Sequence, residues 1–86
     1  MTIWKYPLQA TERQTVTMPV GAEILTVQTQ HDRASLWAQV DDTQRPIERT
    51  IGIYGTGHPL PSGAISYIGT FQIDRGTLVF HVFEIL

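Results

Sequence analysis

Apolar and polar residues alternate along most of this chain with a period of two, and no stretch sustains the 3.6-residue period of a helix. Thr2 to Tyr6 is rich in β-branched and aromatic residues. It predicts a first strand that Pro7 limits, with Ile3 and Lys5 on one face and Trp4 and Tyr6 on the other. Leu8 to Glu12 reads as a loop or one helical turn. Gln14 to Met18 predicts a second strand with Val16 and Met18 on a common face. A hairpin turn is expected after it at Pro19-Val20-Gly21, where proline suits the second turn position and glycine the fourth. Glu23 to Gln30 predicts a third strand, with Leu25, Val27 and Thr29 on one side and Ile24, Thr26 and Gln28 on the other. The polar turn His31-Asp32-Arg33 leads into a fourth, Ala34 to Val40, with Leu36, Ala38 and Val40 toward the core and Trp37 and Gln39 away from it.

Asp41 to Pro46 contains no apolar residue and reads as a solvated loop. The fifth strand, Arg49 to Tyr54, places Ile51 and Ile53 on the core face. Gly52 and Tyr54 lie opposite, and the glycine leaves room above the sheet. Ile65 to Ile73 predicts a sixth strand interrupted by Gly69, and Asp74-Arg75-Gly76 a three-residue hairpin with Gly76 in the left-handed position. Thr77 to Ile85 is apolar on both faces: Leu78, Phe80 and Val82 on one, Val79, Phe83 and Ile85 on the other, with His81 among them. A strand buried on both faces belongs in a sheet covered on both sides, and in so short a chain the expected second cover is another subunit. Short strands separated by turn residues at such intervals predict an all-β fold. The expectation is a small antiparallel sandwich or barrel of six or seven strands, in a single domain spanning residues 1–86.

Composition narrows the function. At 86 residues only roughly 60–65% of the unfolded chain's surface is buried on folding, so the core is thin. The hydrophobic fraction of 42% nevertheless places the chain among folded proteins. Cysteine is absent, which removes disulfides and cysteine-based zinc sites, and His31, His58 and His81 are too far apart in sequence to form a metal motif. Oligomerisation is the remaining way to supplement so small a core. A net charge of −2 with 6 Lys+Arg gives no basic field for duplex nucleic acid. No apolar run approaches the roughly 20 residues of a membrane span. The first residues lack the pattern of a signal peptide, so the expected location is the cytoplasm.

The densest special chemistry lies in Ile53-Tyr54-Gly55-Thr56-Gly57-His58-Pro59-Leu60-Pro61. Gly55 and Gly57 let backbone N–H groups approach an anion, Thr56 adds a hydroxyl and His58 a ring nitrogen. The glycine spacing is not that of a dinucleotide fingerprint, and the same residues also suit a plain connection between strands. Trp4, Tyr6, Trp37, Tyr54 and Tyr67 form a second feature. The first four fall opposite the aliphatic face in the alternation, as a stacking surface for a base or sugar, a second core layer or a subunit interface. Catalysis has little to rest on. No nucleophilic cysteine or Gly-x-Ser-x-Gly elbow exists, Asp41-Asp42 reads as a solvated turn rather than a metal site, and His81 reads as a satisfied core histidine.

Trp4-Lys5-Tyr6-Pro7-Leu8, Ile53 to Pro61, Tyr67-Ile68-Gly69-Thr70-Phe71-Gln72 and Phe80-His81-Val82-Phe83-Glu84 together resemble a small family of bacteriophage and prophage β-proteins, over nearly the whole chain. That family has no settled enzymatic activity. By analogy of size and setting, the resemblance implies a phage-encoded, non-catalytic sponge that sequesters a cyclic oligonucleotide immune signal in the host cytoplasm. The expected ligand-binding residues are Trp4, Tyr6, Trp37, Tyr54, Gly55, Thr56, Gly57 and His58, at a subunit interface, with no cofactor. The alternatives are a protein-interaction module that inhibits a host protein through the aromatic face, and a hydrolase or nuclease that depends on His58.

Overall fold

The computed structural model describes residues 1–86 and contains seven strands and no helix. They are β1 (Thr2–Pro7), β2 (Arg13–Pro19), β3 (Glu23–Gln30), β4 (Arg33–Val40), β5 (Pro46–Gly55), β6 (Ile65–Ile73) and β7 (Leu78–Ile85). All pairings are antiparallel. One sheet has the order β1-β4-β3 and the other β2-β5-β7-β6, so the fold is a small sandwich. No helix is long and apolar enough to cross a membrane.

Period-two alternation puts one face of each strand into the space between the sheets. The four-stranded sheet contributes Val16 and Met18 from β2, Ile51 from β5, Phe71 from β6 and Val82 from β7. The three-stranded sheet contributes Val27 from β3 and Ala34, Leu36, Ala38 and Val40 from β4. Met18, Leu36, Val40, Ile51 and Val82 are fully enclosed, and each such side chain stabilises the fold by about 1.5–3 kcal/mol. Only 16 of 86 residues are buried, so losing one of these five would remove a large share of a net stability of roughly 4–13 kcal/mol.

Three expectations about the chain path change. Pro19-Val20-Gly21 is not a hairpin turn, because β2 pairs with β5 and β3 with β4. It is the crossing from one sheet to the other. The Ala22 amide donates to the Pro19 carbonyl at 3.1 Å, and Gly21 (φ 81°) takes the third turn position, where a left-handed conformation is needed. β3 carries an irregularity between Ile24 and Thr26, with Leu25 as the extra residue. Ile24 and Val27 therefore both face the core while Leu25 is 43% exposed, which breaks the simple alternation expected there. β7, finally, lies inside its sheet between β5 and β6, and its second apolar face is partly covered by the chain's own rings. Phe83 makes edge contacts with Tyr54 at 6.3 Å and Tyr67 at 5.4 Å between centroids.

One ion pair is set into the space between the sheets. Arg49 Nε and Nη2 donate to the two Glu84 oxygens at 2.6 and 2.7 Å, and Nη1 donates to the Ala22 carbonyl at 2.6 Å. The bidentate geometry satisfies both carboxylate oxygens. It also ties the sheet crossing at Ala22 to the four-stranded sheet. Hydrogen bonding to Glu84 holds the guanidinium pKa above its already high ordinary value.

Candidate functional site

The sheets leave a cleft of about 510 Å³ at one end of the sandwich. Its origin is local. Along β4 the inward residues Leu36 and Val40 fill the core, but the first of the row is Ala34, and the last inward position of β5 is Gly55. Two small residues at the same end leave space that larger ones occupy elsewhere. The floor is apolar: Leu8, Ala34, Ile53, Phe71, Ile73 and Phe80. Phe71 and Phe80 are cross-strand partners with stacked rings, 5.5 Å between centroids and 27° between planes. Leu8 is drawn in by its amide, which donates to the Ala34 carbonyl at 3.0 Å.

The rim is polar and of mixed charge, formed by Gln9, Thr11, Glu12, Asp32, Arg33 and His58. Residues Gln9 to Thr11 are held by Gln14, whose amide group donates to the Gln9 carbonyl and accepts from the Gln9 amide, both at 2.9 Å. The β3–β4 turn supplies Asp32 and Arg33. His31 (φ 51°) and Asp32 (φ 63°) are both left-handed, as a two-residue hairpin demands, although neither is glycine. The Asp32 carboxylate accepts from the Asp74 amide at 3.0 and 3.3 Å, tying this turn to the β6–β7 turn across the cleft mouth. That second turn has four residues rather than the expected three. Gly76 (φ 83°) is left-handed as anticipated, and so are Asp74 and Arg75. The Asp32–Asp74 bonds hold these two turns together, and the Arg33 guanidinium is free of ion pairs beside them.

The glycine loop contributes to the cleft at its ends. Gly55 and His58 line it, and the His58 ring folds back over Gly55, where a Cβ would sit 3.1 Å from its Cε1 and Nδ1. The His58 amide donates to the Gly55 carbonyl at 3.0 Å and Gly57 (φ 88°) holds the left-handed position of the turn. The Thr56 amide bonds the Val79 carbonyl at 3.3 Å. The amides of Thr56 and His58 are thus spent inside the fold and are not offered to an anion.

Nor do the aromatic residues gather on one face. Trp4 and Tyr6 stand opposite Ala38 and Leu36, so they point between the sheets. Trp37 is on the outer face of the three-stranded sheet, with Lys5 Nζ 5.8 Å from its ring centre. Tyr54 is on the outer face of the four-stranded sheet and is only 4% exposed. Its ring lies over Gly52, where a Cβ would be 2.6 Å from Cε2, so the room left by the glycine is filled by the strand's own tyrosine. The expected common stacking surface is absent, because Trp4, Tyr6, Trp37 and Tyr54 occupy three different faces.

The outer face of the four-stranded sheet carries a hydrogen-bond chain that the sequence did not disclose. His81 Nε2 is 2.8 Å from the Thr56 hydroxyl, and Nδ1 is 3.0 Å from the Thr70 hydroxyl, itself 2.6 Å from the Tyr67 hydroxyl. His81 is satisfied, as expected, but by hydroxyls on an outer face rather than within the core. Thr70 stands opposite it by strand register alone, a pairing that no local motif marks. The Thr70 hydroxyl, held in turn by Tyr67, fixes the orientation of the ring.

No cluster of three or more His, Cys, Asp or Glu side chains has the geometry to hold a metal ion. No curated protein and no solved structure matches the chain. One family model does, over residues 1–85, and on that match the chain belongs to the family described as domain of unknown function DUF7352.

Proposed function

We propose that this chain is a non-catalytic binding protein that holds a small ligand in the cleft between the ends of its two sheets. The observation that carries this reading is a space of about 510 Å³ with an apolar floor and a polar rim. That volume lies within the roughly 300–1,000 Å³ of small-molecule sites, which share the same division of surface. The ligand presents a flat or branched apolar body to Phe71 and Phe80, and its acceptors to Arg33 and His58. Glu12 and Asp32 on the same rim suit a ligand that also offers a donor edge, such as the amino group of a base.

A cyclic oligonucleotide, sequestered rather than processed, is the ligand class proposed here. It has a flat base for the apolar floor and a phosphate for Arg33, and the resemblance to phage proteins supports such a signal-capturing role. Sequestration requires only slow dissociation. Calorimetry against a panel of cyclic di- and trinucleotides tests it. The expected result is binding by one member that weakens about tenfold or more in Arg33→Ala, the loss of one charge-assisted contact. An absence of heat with every member, on folded protein, overturns the nucleotide reading.

A protein-interaction role is the second reading. Tyr67, 60% exposed beside Phe83 on the outer face of the four-stranded sheet, favours it. It predicts a protein partner that Tyr67→Ala loses and Arg33→Ala keeps.

A further inference from the structure

The free edge of β1 differs from the other three sheet edges. β3 and β6 each carry a register irregularity, the usual protection of an edge against pairing. β2 presents Thr15 and Thr17 outward, and the Gln9–Gln14 bonds fold the preceding loop against its start. β1 pairs with β4 without a bulge, and it displays Ile3 at 58% and Trp4 at 41% exposure on its two faces.

The hydrogen-bond phase of β1 follows from one contact. The Leu8 amide donates to the Ala34 carbonyl, and this pair continues the β1–β4 register. Antiparallel pairs alternate between bonded and non-bonded, so Tyr6, Trp4 and Thr2 direct their amides and carbonyls to β4. Ile3, Lys5 and Pro7 direct theirs to the open edge. Pro7 has no N–H to offer there, which is where an edge strand tolerates proline, and it ends the pairing surface. What remains is a short edge with two complete donor–acceptor residues, Ile3 and Lys5.

We infer that β1 pairs antiparallel with β1 of a second copy of this chain, about a two-fold axis at Trp4, joining two three-stranded sheets into one of six. The edge is self-complementary in this register. Ile3 faces the partner's Lys5 in a bonded pair and Lys5 faces the partner's Ile3 in another, so all the outward groups of both residues are used. Trp4 faces the partner's Trp4 in the non-bonded pair between them, where side chains approach most closely and aromatic pairs contribute most. Thr2 lies across from the partner's Tyr6. A shift by two residues in one direction sets the two Lys5 side chains opposite each other, which disfavours that alternative. A second copy also matches the length of the edge, since Pro7 limits both strands equally.

Light scattering and sedimentation equilibrium on the intact chain test the pairing. The expected species is a dimer of the 9.7 kDa chain. Ile3→Lys places two lysine pairs face to face and is expected to weaken association about tenfold or more, and adding Lys5→Glu to it restores the dimer through opposite charges in the same register. Ile3→Pro removes only an outward amide, so it leaves the β1–β4 ladder and the far-UV circular dichroism intact while abolishing association. A monomer at micromolar concentration overturns the inference. So does a dimer that survives both Ile3→Lys and Ile3→Pro, since that places the contact elsewhere.

Discussion

Tyr6 condenses what a single residue shows about this core. Its hydroxyl is buried between the sheets and makes no hydrogen bond within the chain. Burial raises its pKa above the ordinary 10.0, and the charge of Arg49 works in the opposite direction. A buried hydroxyl without a partner costs about 1–3 kcal/mol of desolvation, whereas the ring alone contributes apolar burial. Tyr6→Phe is therefore expected to stabilise the fold by about 1 kcal/mol in urea denaturation. The native state holds the phenolic proton more tightly than the unfolded chain does. That stabilising term is complete below pH 10.0 and is lost as pH rises through the higher native value, so the variant should also lose less stability in alkali. A loss of stability in Tyr6→Phe would mean that the hydroxyl is partnered in solution. Alternation sets Trp4 and Tyr6 together on one face but does not say which face is inside, and the register places them with Leu36 and Ala38 rather than opposite the aliphatic face.

At the scale of elements, periodicity located the strands and failed where a residue was inserted into the pattern. The expected bounds of β3 and β6 match the observed ones, and Val16 with Met18 and Ile51 with Ile53 face inward as the alternation predicts. Leu25 and Ile68 sit at register shifts, which reverse the inward parity along β3 and β6 without any local marker in the sequence. Gly52 was legible as a place where something must lie close to the sheet, yet the occupant is Tyr54 from the same strand. Gly52→Ala is expected to cost about 1–3 kcal/mol, because the new methyl meets a ring that is itself buried and must shift. The check is the urea midpoint together with the near-UV circular dichroism of Tyr54. An unchanged midpoint would show that the ring moves freely and that Tyr54 is available for stacking after all.

At the scale of the molecule, the cleft depends on topology. It collects the β1–β2 loop, the β3–β4 turn, the ends of β5 and β6 and the start of β7, which lie far apart in sequence. Gly55 and His58, which line the cleft, stand out in the sequence because they carry conspicuous chemistry. Leu8, Ala34, Phe71 and Phe80 look like ordinary core residues, and only the strand order β2-β5-β7-β6 over β1-β4-β3 brings their unfilled ends together. Thr56, by contrast, is turned to the other side of the sheet toward His81, so a loop that reads as one site divides between two faces. A two-dimensional amide NMR titration with the cyclic oligonucleotide panel tests the binding account most directly, since it reports every face at once. The account predicts shifts confined to Leu8–Glu12, Asp32–Ala34, His58, Phe71 and Phe80. Shifts centred on Tyr67, Thr70, His81 and Phe83, or none with any ligand, would contradict it.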